Sequence, residues 1–362
     1  MNPSPTLTTG PPDLVHLRRQ IEEALTSFVN AKRDATHAAG MPAEATEVLA
    51  EFVLDGGKRL RPLLCLLGWH TVAEAPPPPP VVRTAAALEI FHDFCLIHDD
   101  VMDHSALRRG HPTVHRILAA RHRPARSPAG ADELGAHAAV LVGDLAFVWS
   151  DELLHTAGLT PTQAEAAWPL IDAMHAEVIH GQYLDLIQDA TTATDLDAPL
   201  RVILYKTAKY TVERPLHIGA ALAGGGPALR QALTAYALPL GEAFQLRDDL
   251  LGVFGDPTRT GKPNLDDLRE GKHTVLIAHA LHHADSDQRE LLRQALGDPG
   301  LTEDTAARVR AVLVSTGARA TVEQLIRHRC KQALNALDGL PAPPAARHVL
   351  HDVALAATVR QS

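Results

Sequence analysis

Two acidic clusters hold the residues of this sequence best placed to do chemistry. The first reads Leu96-Ile97-His98-Asp99-Asp100-Val101-Met102-Asp103 and continues to Leu107-Arg108-Arg109-Gly110. On a helix, Asp99 and Asp103 are four apart and share a face. Two like charges repel there, and their neighbours are apolar rather than cationic, so a divalent cation would supply the missing positive charge. All-oxygen ligation suits Mg2+, which keeps waters and bridges carboxylates to substrate phosphates. A solvated acidic turn is the plain alternative. The second cluster is Phe244-Gln245-Leu246-Arg247-Asp248-Asp249-Leu250-Leu251-Gly252, followed by Phe254-Gly255-Asp256. Gly252 is four after Asp248, so no carboxylate repeats on that face, and Asp256 is a weak candidate for a further ligand.

Basic residues bracket both clusters in an otherwise acidic chain. Gly57-Lys58-Arg59-Leu60-Arg61-Pro62 precedes the first, and Arg108-Arg109 follows it. Lys206-Thr207 and Lys209 precede the second, and Lys262 and Lys272 follow it. Carboxylates for metal, with Arg and Lys for phosphate oxygens, describe a diphosphate site. Any one of these cations alone is better explained by surface salt bridging.

The elements that position these groups read as helices. The chain has 362 residues, a net charge of −9 and 46% hydrophobic residues, with only 7 Phe, 4 Tyr and 3 Trp. The charge argues against nucleic-acid binding, and an Ala/Leu/Val core suits close-packed helices. Leu17, Ile21, Leu25 and Val29 recur every four residues. Breakers at Asp55-Gly57, Pro76–Pro80, Arg121–Asp132, Thr191–Pro199, Gly224–Pro227, Asp256–Gly271 and Gly339–Pro344 leave helix-length intervals between them. Composition does not shift across any of them. The expectation is a disordered tail over 1–12 and one all-α domain over 13–362, with Pro76–Pro80 as a stiff connection rather than a docking site. The N-terminus has no apolar signal region, and no run is long enough to span a membrane. Cys65, Cys95 and Cys330 lack metal-type spacing and read as buried thiols in a reducing, cytoplasmic setting.

From about Gly56 to Thr274 the sequence resembles the trans-isoprenyl diphosphate synthases. The resemblance is carried by Gly56-Gly57-Lys58-Arg59-Leu60-Arg61-Pro62, Asp99-Asp100-Val101-Met102-Asp103, Arg108-Arg109-Gly110, Gly181-Gln182, Lys206-Thr207, Phe244-Gln245, Asp248-Asp249, Gly261-Lys262 and Gly271-Lys272, in that order. It implies a bundle of long antiparallel helices around a deep central cavity, usually a homodimer. It also implies about three Mg2+ ions held by Asp99, Asp100, Asp103, Asp248 and Asp249. Arg108, Lys206, Thr207, Gln245, Lys262 and Lys272 would contact an allylic diphosphate. Lys58, Arg61, His92 and Arg109 would grip isopentenyl diphosphate. His92 is placed by its position seven residues before Asp99. The catalytic set would be Asp99, Asp103, Lys206 and Asp248. Gly252 departs from the family pattern, which usually ends that motif in Asp.

Product length would depend on what blocks the cavity beside the first cluster. Phe94 lies five residues before Asp99, about 7.5 Å along a helix. In the family, an aromatic there without an insertion in the motif resembles the C20 pattern. Cys95 is small, and Phe91 lies one turn deeper. Geranylgeranyl diphosphate (C20) is the expected product, then farnesyl (C15), then C25. Core packing is the plain reading of Phe94.

Three other readings fit less of the sequence. A class I terpene cyclase would carry an Asn/Ser/Glu metal motif and would not need the second basic cluster. An HD-type phosphohydrolase, suggested by His92-Asp93, His98-Asp99 and His351-Asp352, leaves the basic segments unexplained. A regulatory subunit would typically lose the Asp motifs.

Overall fold

The site is built where four helices bring their ends together, and capping and apolar spacing explain why those helices form. The computed structural model describes residues 11–188, 196–255 and 265–358. The tail expected over 1–12 therefore lies almost wholly outside the described residues. Three helices lead in: α1 (Leu14–Ala38), α2 (Ala43–Leu54) and α3 (Leu60–His70). Asp13 caps the first by accepting from Val15 and His16 N–H. Then α4 (Pro79–Met102) opens inside the proline run, with Pro79 at the first helical position. A proline is harmless there because that N–H has no intrahelical partner.

After α4 the chain makes its only described sheet. Strands β1 (Leu107–Arg108) and β2 (His111–Pro112) pair antiparallel around Arg109-Gly110. Next come α5 (Val114–His122), α6 (Pro128–His155) and α7 (Pro161–Leu186), the last opened by a Thr160/Gln163 capping box. Short α8 (Asp197–Val202) runs into a π-helix (Ile203–Glu213), then α9 (Arg214–Leu222) and α10 (Pro227–Phe254). The remainder is α11 (Asp266–Arg269), α12 (Val275–His283), α13 (Ser286–Ala295), α14 (Glu303–Ser315), α15 (Ala318–Asp338) and α16 (Pro344–Thr358). The all-α expectation holds for the described residues.

Antiparallel pairing fixes which residues meet. Ser150 of α6 donates to Ala87 O of α4, while His98 of α4 reaches Val140 O, so the two helices run oppositely. His155 stacks on Trp168, and Phe147 meets His175, so α7 runs back along α6. Apolar side chains gather in two clusters that share α10. Leu233, Tyr236 and Leu240 join the first, and Leu246, Leu250 and Val253 join the second. The helix carrying the second acidic cluster is thus anchored along its length by burial on both sides.

Candidate active site

The π-helix carries Lys206 and Thr207. A π-helix holds its turns at a cost, and such segments concentrate at functional sites. Close packing keeps it in place. Any side chain at Gly181 of α7 would collide with the backbone at Lys206. Glu177 of α7 clamps the other end, accepting from Lys209 at 2.7 Å and from Arg214 through two nitrogens. Lys206 then donates to Asp99 at 3.0 Å and to Asp185 at 2.7 Å. Gln182 donates to the same Asp99 oxygen at 3.1 Å. Asp185 was not foreseen; it lies one turn after Gln182, and that spacing was the available signal.

Across the cleft, Thr207 donates to Gln245 Oε1 and Gln245 Nε2 donates to Asp249 Oδ1, both at 2.8 Å. Asp185, Lys206, Thr207, Gln245, Asp249 and Lys272 line a cleft of about 90 Å³. Lys272 joins the first acidic cluster to a later acidic run, at 3.6 Å from Asp103, 3.7 Å from Asp267 and 2.8 Å from Glu270. Asp267 and Glu270 were also missed, although Asp266 to Lys272 is a third acidic run in the sequence. The Asp267 carboxylate fills the space beside Gly252 that any side chain there would need. Asp256 and Lys262 lie outside the described residues.

The carboxylates titrate unequally. Burial alone would raise Asp99, but Lys206, Lys272 and Arg108 outweigh it and hold the carboxyl below its ordinary value. Burial and the Asp99 charge push Asp103 up to about 6. Burial, with Asp267 and Asp248 nearby, pushes Asp249 up to about 8 despite the Gln245 hydrogen bond. Asp248 is exposed at the rim. Asp100 differs from the other expected metal carboxylates. It is buried and faces Arg108, whose Nε lies 2.8 and 2.9 Å from its two oxygens. One residue along a helix turns a side chain by about 100°, so Asp100 points out of the Asp99–Asp103 face toward the β1 turn.

On the other side of α4 lies a basic group. Arg61 donates to Thr211 at 2.7 Å and sits 4.4 Å over the Tyr210 ring. Burial, reinforced by Arg61 and Arg109, pushes His92 well below its ordinary value, so it is neutral and offers a hydrogen bond rather than a charge. Tyr210 Oη lies 3.4 Å from His92 Nδ1. Arg109 donates to Gly56 O at 2.9 Å, and Lys58 is exposed beside it. Arg59 holds this loop from beneath. Its backbone is left-handed (φ 48°), and its buried guanidinium binds Glu22, Glu89 and Val53 O.

The arrangement can hold anions on both sides of one helix end. The oxygen donors on the Asp99 side suit a hard cation such as Mg2+. Among the described residues no three potential metal-ligating side chains converge on one point.

Residues 42–313 match the family model described as Polyprenyl synthetase. The chain belongs to this family. Its members are prenyltransferases that work with a divalent metal. The chain is 32% identical to the geranylfarnesyl diphosphate synthase of Aeropyrum pernix over 290 residues, covering 79% of this chain and 85% of that protein. It is 32% identical over 303 residues to a (2E,6E)-farnesyl diphosphate synthase of Mycobacterium bovis, covering 82% and 78%. Its fold superposes with a TM-score of 0.90 on the geranylgeranyl pyrophosphate synthase of Corynebacterium glutamicum, complexed with isoprenyl diphosphate and magnesium, at 37% identity and 96% and 99% coverage. No helix among the described residues of this chain is long and apolar enough to cross a membrane.

Proposed function

We propose that this chain joins isopentenyl diphosphate to allylic diphosphates and makes geranylgeranyl diphosphate (C20), with the farnesyl (C15) product as the second reading. The observation that carries the condensation is the two-sided end of α4. Asp99, Asp103, Lys206 and Lys272 lie on one side, and Lys58, Arg61, His92 and Arg109 on the other. One diphosphate would not need both.

Asp99 and Asp103, with Asp248 and Asp249 opposite, would hold about three Mg2+ ions. When bound, these would neutralise charge on the departing diphosphate. Lys206, Lys272, Arg108 and, from outside the described residues, Lys262 would bind the same oxygens. Thr207 and Gln245 would orient them. Lys58, Arg61 and Arg109 would fix the second diphosphate and hold the isopentenyl double bond against the allylic carbon. As the allylic C–O bond breaks, the double bond attacks that carbon, and a proton leaves to the released diphosphate. The product is an allylic diphosphate five carbons longer. The apolar walls below keep water from the cation.

The C20 length rests on Phe91, Phe94 and Cys95, which lie below Asp99 on α4. A homodimer is supported by large apolar side chains left exposed on α6 and α7, among them Leu141, Val148, Ile179 and Tyr183. The thiols of Cys65, Cys95 and Cys330 suit a reducing compartment such as the cytoplasm. The test of function incubates the protein with Mg2+, labelled isopentenyl diphosphate and, separately, dimethylallyl, geranyl or farnesyl diphosphate. The alcohols are sized after dephosphorylation. A dominant C20 alcohol supports the proposal, and a different length keeps the condensation while discarding the C20 assignment. No incorporation with any starter discards the condensation itself.

A further inference from the structure

Below Asp99 four rings drawn from three helices pack together. Phe91 of α4 stacks face to face on His175 of α7, with centroids 3.9 Å apart and planes 18° apart. Phe147 of α6, whose outer edge is exposed, joins the group at 5.8 Å from Phe91, 5.4 Å from Phe94 and 5.7 Å from His175. Phe94 lies 5.3 Å from Phe91 and turns toward α6 and His98.

Helical register ties this cluster to the site. Asp99, Cys95 and Phe91 fall at successive four-residue steps on one stripe of α4, about 12 Å from first to last. On α7, Gln182 touches Asp99, and His175 lies seven residues earlier, about 10 Å down the same face. Two stripes that begin at the same carboxylate therefore end at the same pair of rings. Small, uncharged Cys95 is the step between.

His175 is not explained by packing alone. Its Nε2 is buried without a hydrogen-bond partner, which costs stability that a Leu or Phe at this position would not. Burial pushes its imidazole down to about 4, so the ring is neutral and can face hydrocarbon. It touches neither the carboxylates nor the cations of the site.

We propose that His175 is a specificity-determining residue: it braces Phe91 and, with Phe147, completes the stop against which the growing hydrocarbon tail ends. This rests on the prenyl diphosphate synthase reading above. Without the imidazole, Phe91 loses the surface it lies on and can swing aside for a further isoprene unit.

The experiment compares the purified full-length protein with His175→Ala and His175→Phe, using Mg2+, labelled isopentenyl diphosphate and geranyl diphosphate. Total incorporation and the lengths of the dephosphorylated alcohols are both recorded. His175→Ala is expected to raise the ratio of the next longer alcohol to the wild-type product by on the order of tenfold or more. His175→Phe keeps a ring against Phe91 and is expected to keep the wild-type length. An unchanged distribution in His175→Ala, with incorporation still measurable, overturns the proposal. If His175→Ala loses incorporation altogether, Phe147→Ala decides, because it opens the same stop from α6: longer products support the proposal and unchanged ones overturn it. A wild-type protein that incorporates nothing contradicts the synthase reading instead.

Discussion

The Asp267 carboxylate lies against the bare Cα of Gly252, in the volume that a side chain at 252 would occupy. The two residues are 15 positions apart in sequence, on opposite sides of the stretch 256–264, and meet in the fold. Where the second acidic cluster lacks a carboxylate at 252, the chain returns after α10 and supplies one from Asp267. Lys272 ties that carboxylate toward Asp103.

Asp267→Asn is therefore expected to weaken Mg2+ binding in the presence of a diphosphate by about tenfold or more. Gly252→Ala should do the same by displacing Asp267, with about 1–3 kcal/mol of lost stability from overpacking. Gly252→Asp in an Asp267→Ala background should recover part of the loss. Calorimetric Mg2+ titration with inorganic diphosphate measures all three. Independent, additive losses would show that the two positions do not share one role.

The site should also couple metal to pH. Asp103 is raised to about 6 and Asp249 to about 8. Ordinary carboxyls titrate near 4, so between about pH 4 and 8 the folded protein binds more protons than the unfolded chain. Its metal-free stability then falls as pH rises through that window. A cation needs ionised carboxylates and releases protons on binding. Scanning calorimetry should find a larger Tm gain from Mg2+ with diphosphate at pH 8 than at pH 6. A gain independent of pH would contradict the assignment of these two carboxylates.

Adjacent aspartates should separate cleanly. Asp99→Asn is expected to abolish the Mg2+-dependent Tm gain, because Asp99 faces Lys206 and Gln182 in the cleft. Asp100→Asn breaks a buried pair with Arg108 and should cost about 3–5 kcal/mol of stability while keeping the gain. Loss of the gain in both variants would place Asp100 among the metal carboxylates after all.

Asp93 offers a test away from the metal side. It is fully buried beside Glu89, and neither carboxylate oxygen has a hydrogen-bond partner. Burial, then Glu89, pushes its carboxyl well above the ordinary range. Its contribution to stability is present while it is protonated and falls as pH rises through the raised value. Asp93→Asn should thus gain Tm over the wild type as pH increases from 6 to 9. A constant difference across that range would contradict a raised Asp93 carboxyl.

The carboxylate side of the site was partly legible in the sequence, because helical spacing alone puts Asp99 and Asp103 on one face, whereas the role of Lys206 came only from the family resemblance. The rest depended on tertiary packing. The π-helix is set by Gly181 and Glu177 pressing from α7, which no local propensity encodes. Asp100 looked equivalent to Asp99 until the β1 turn brought Arg108 back onto it. Asp267 gains its place only from the return of the chain past α10. His175 is one histidine among 21, and nothing in its neighbours announces a ring from another helix.

The measurement that tests the account most directly is diphosphate release with each substrate alone and with both together. In the presence of Mg2+, one diphosphate is expected per isopentenyl unit incorporated, with little release from the allylic substrate alone. Equal release from the allylic diphosphate whether or not isopentenyl diphosphate is present would contradict a condensing enzyme and point to cyclisation or hydrolysis.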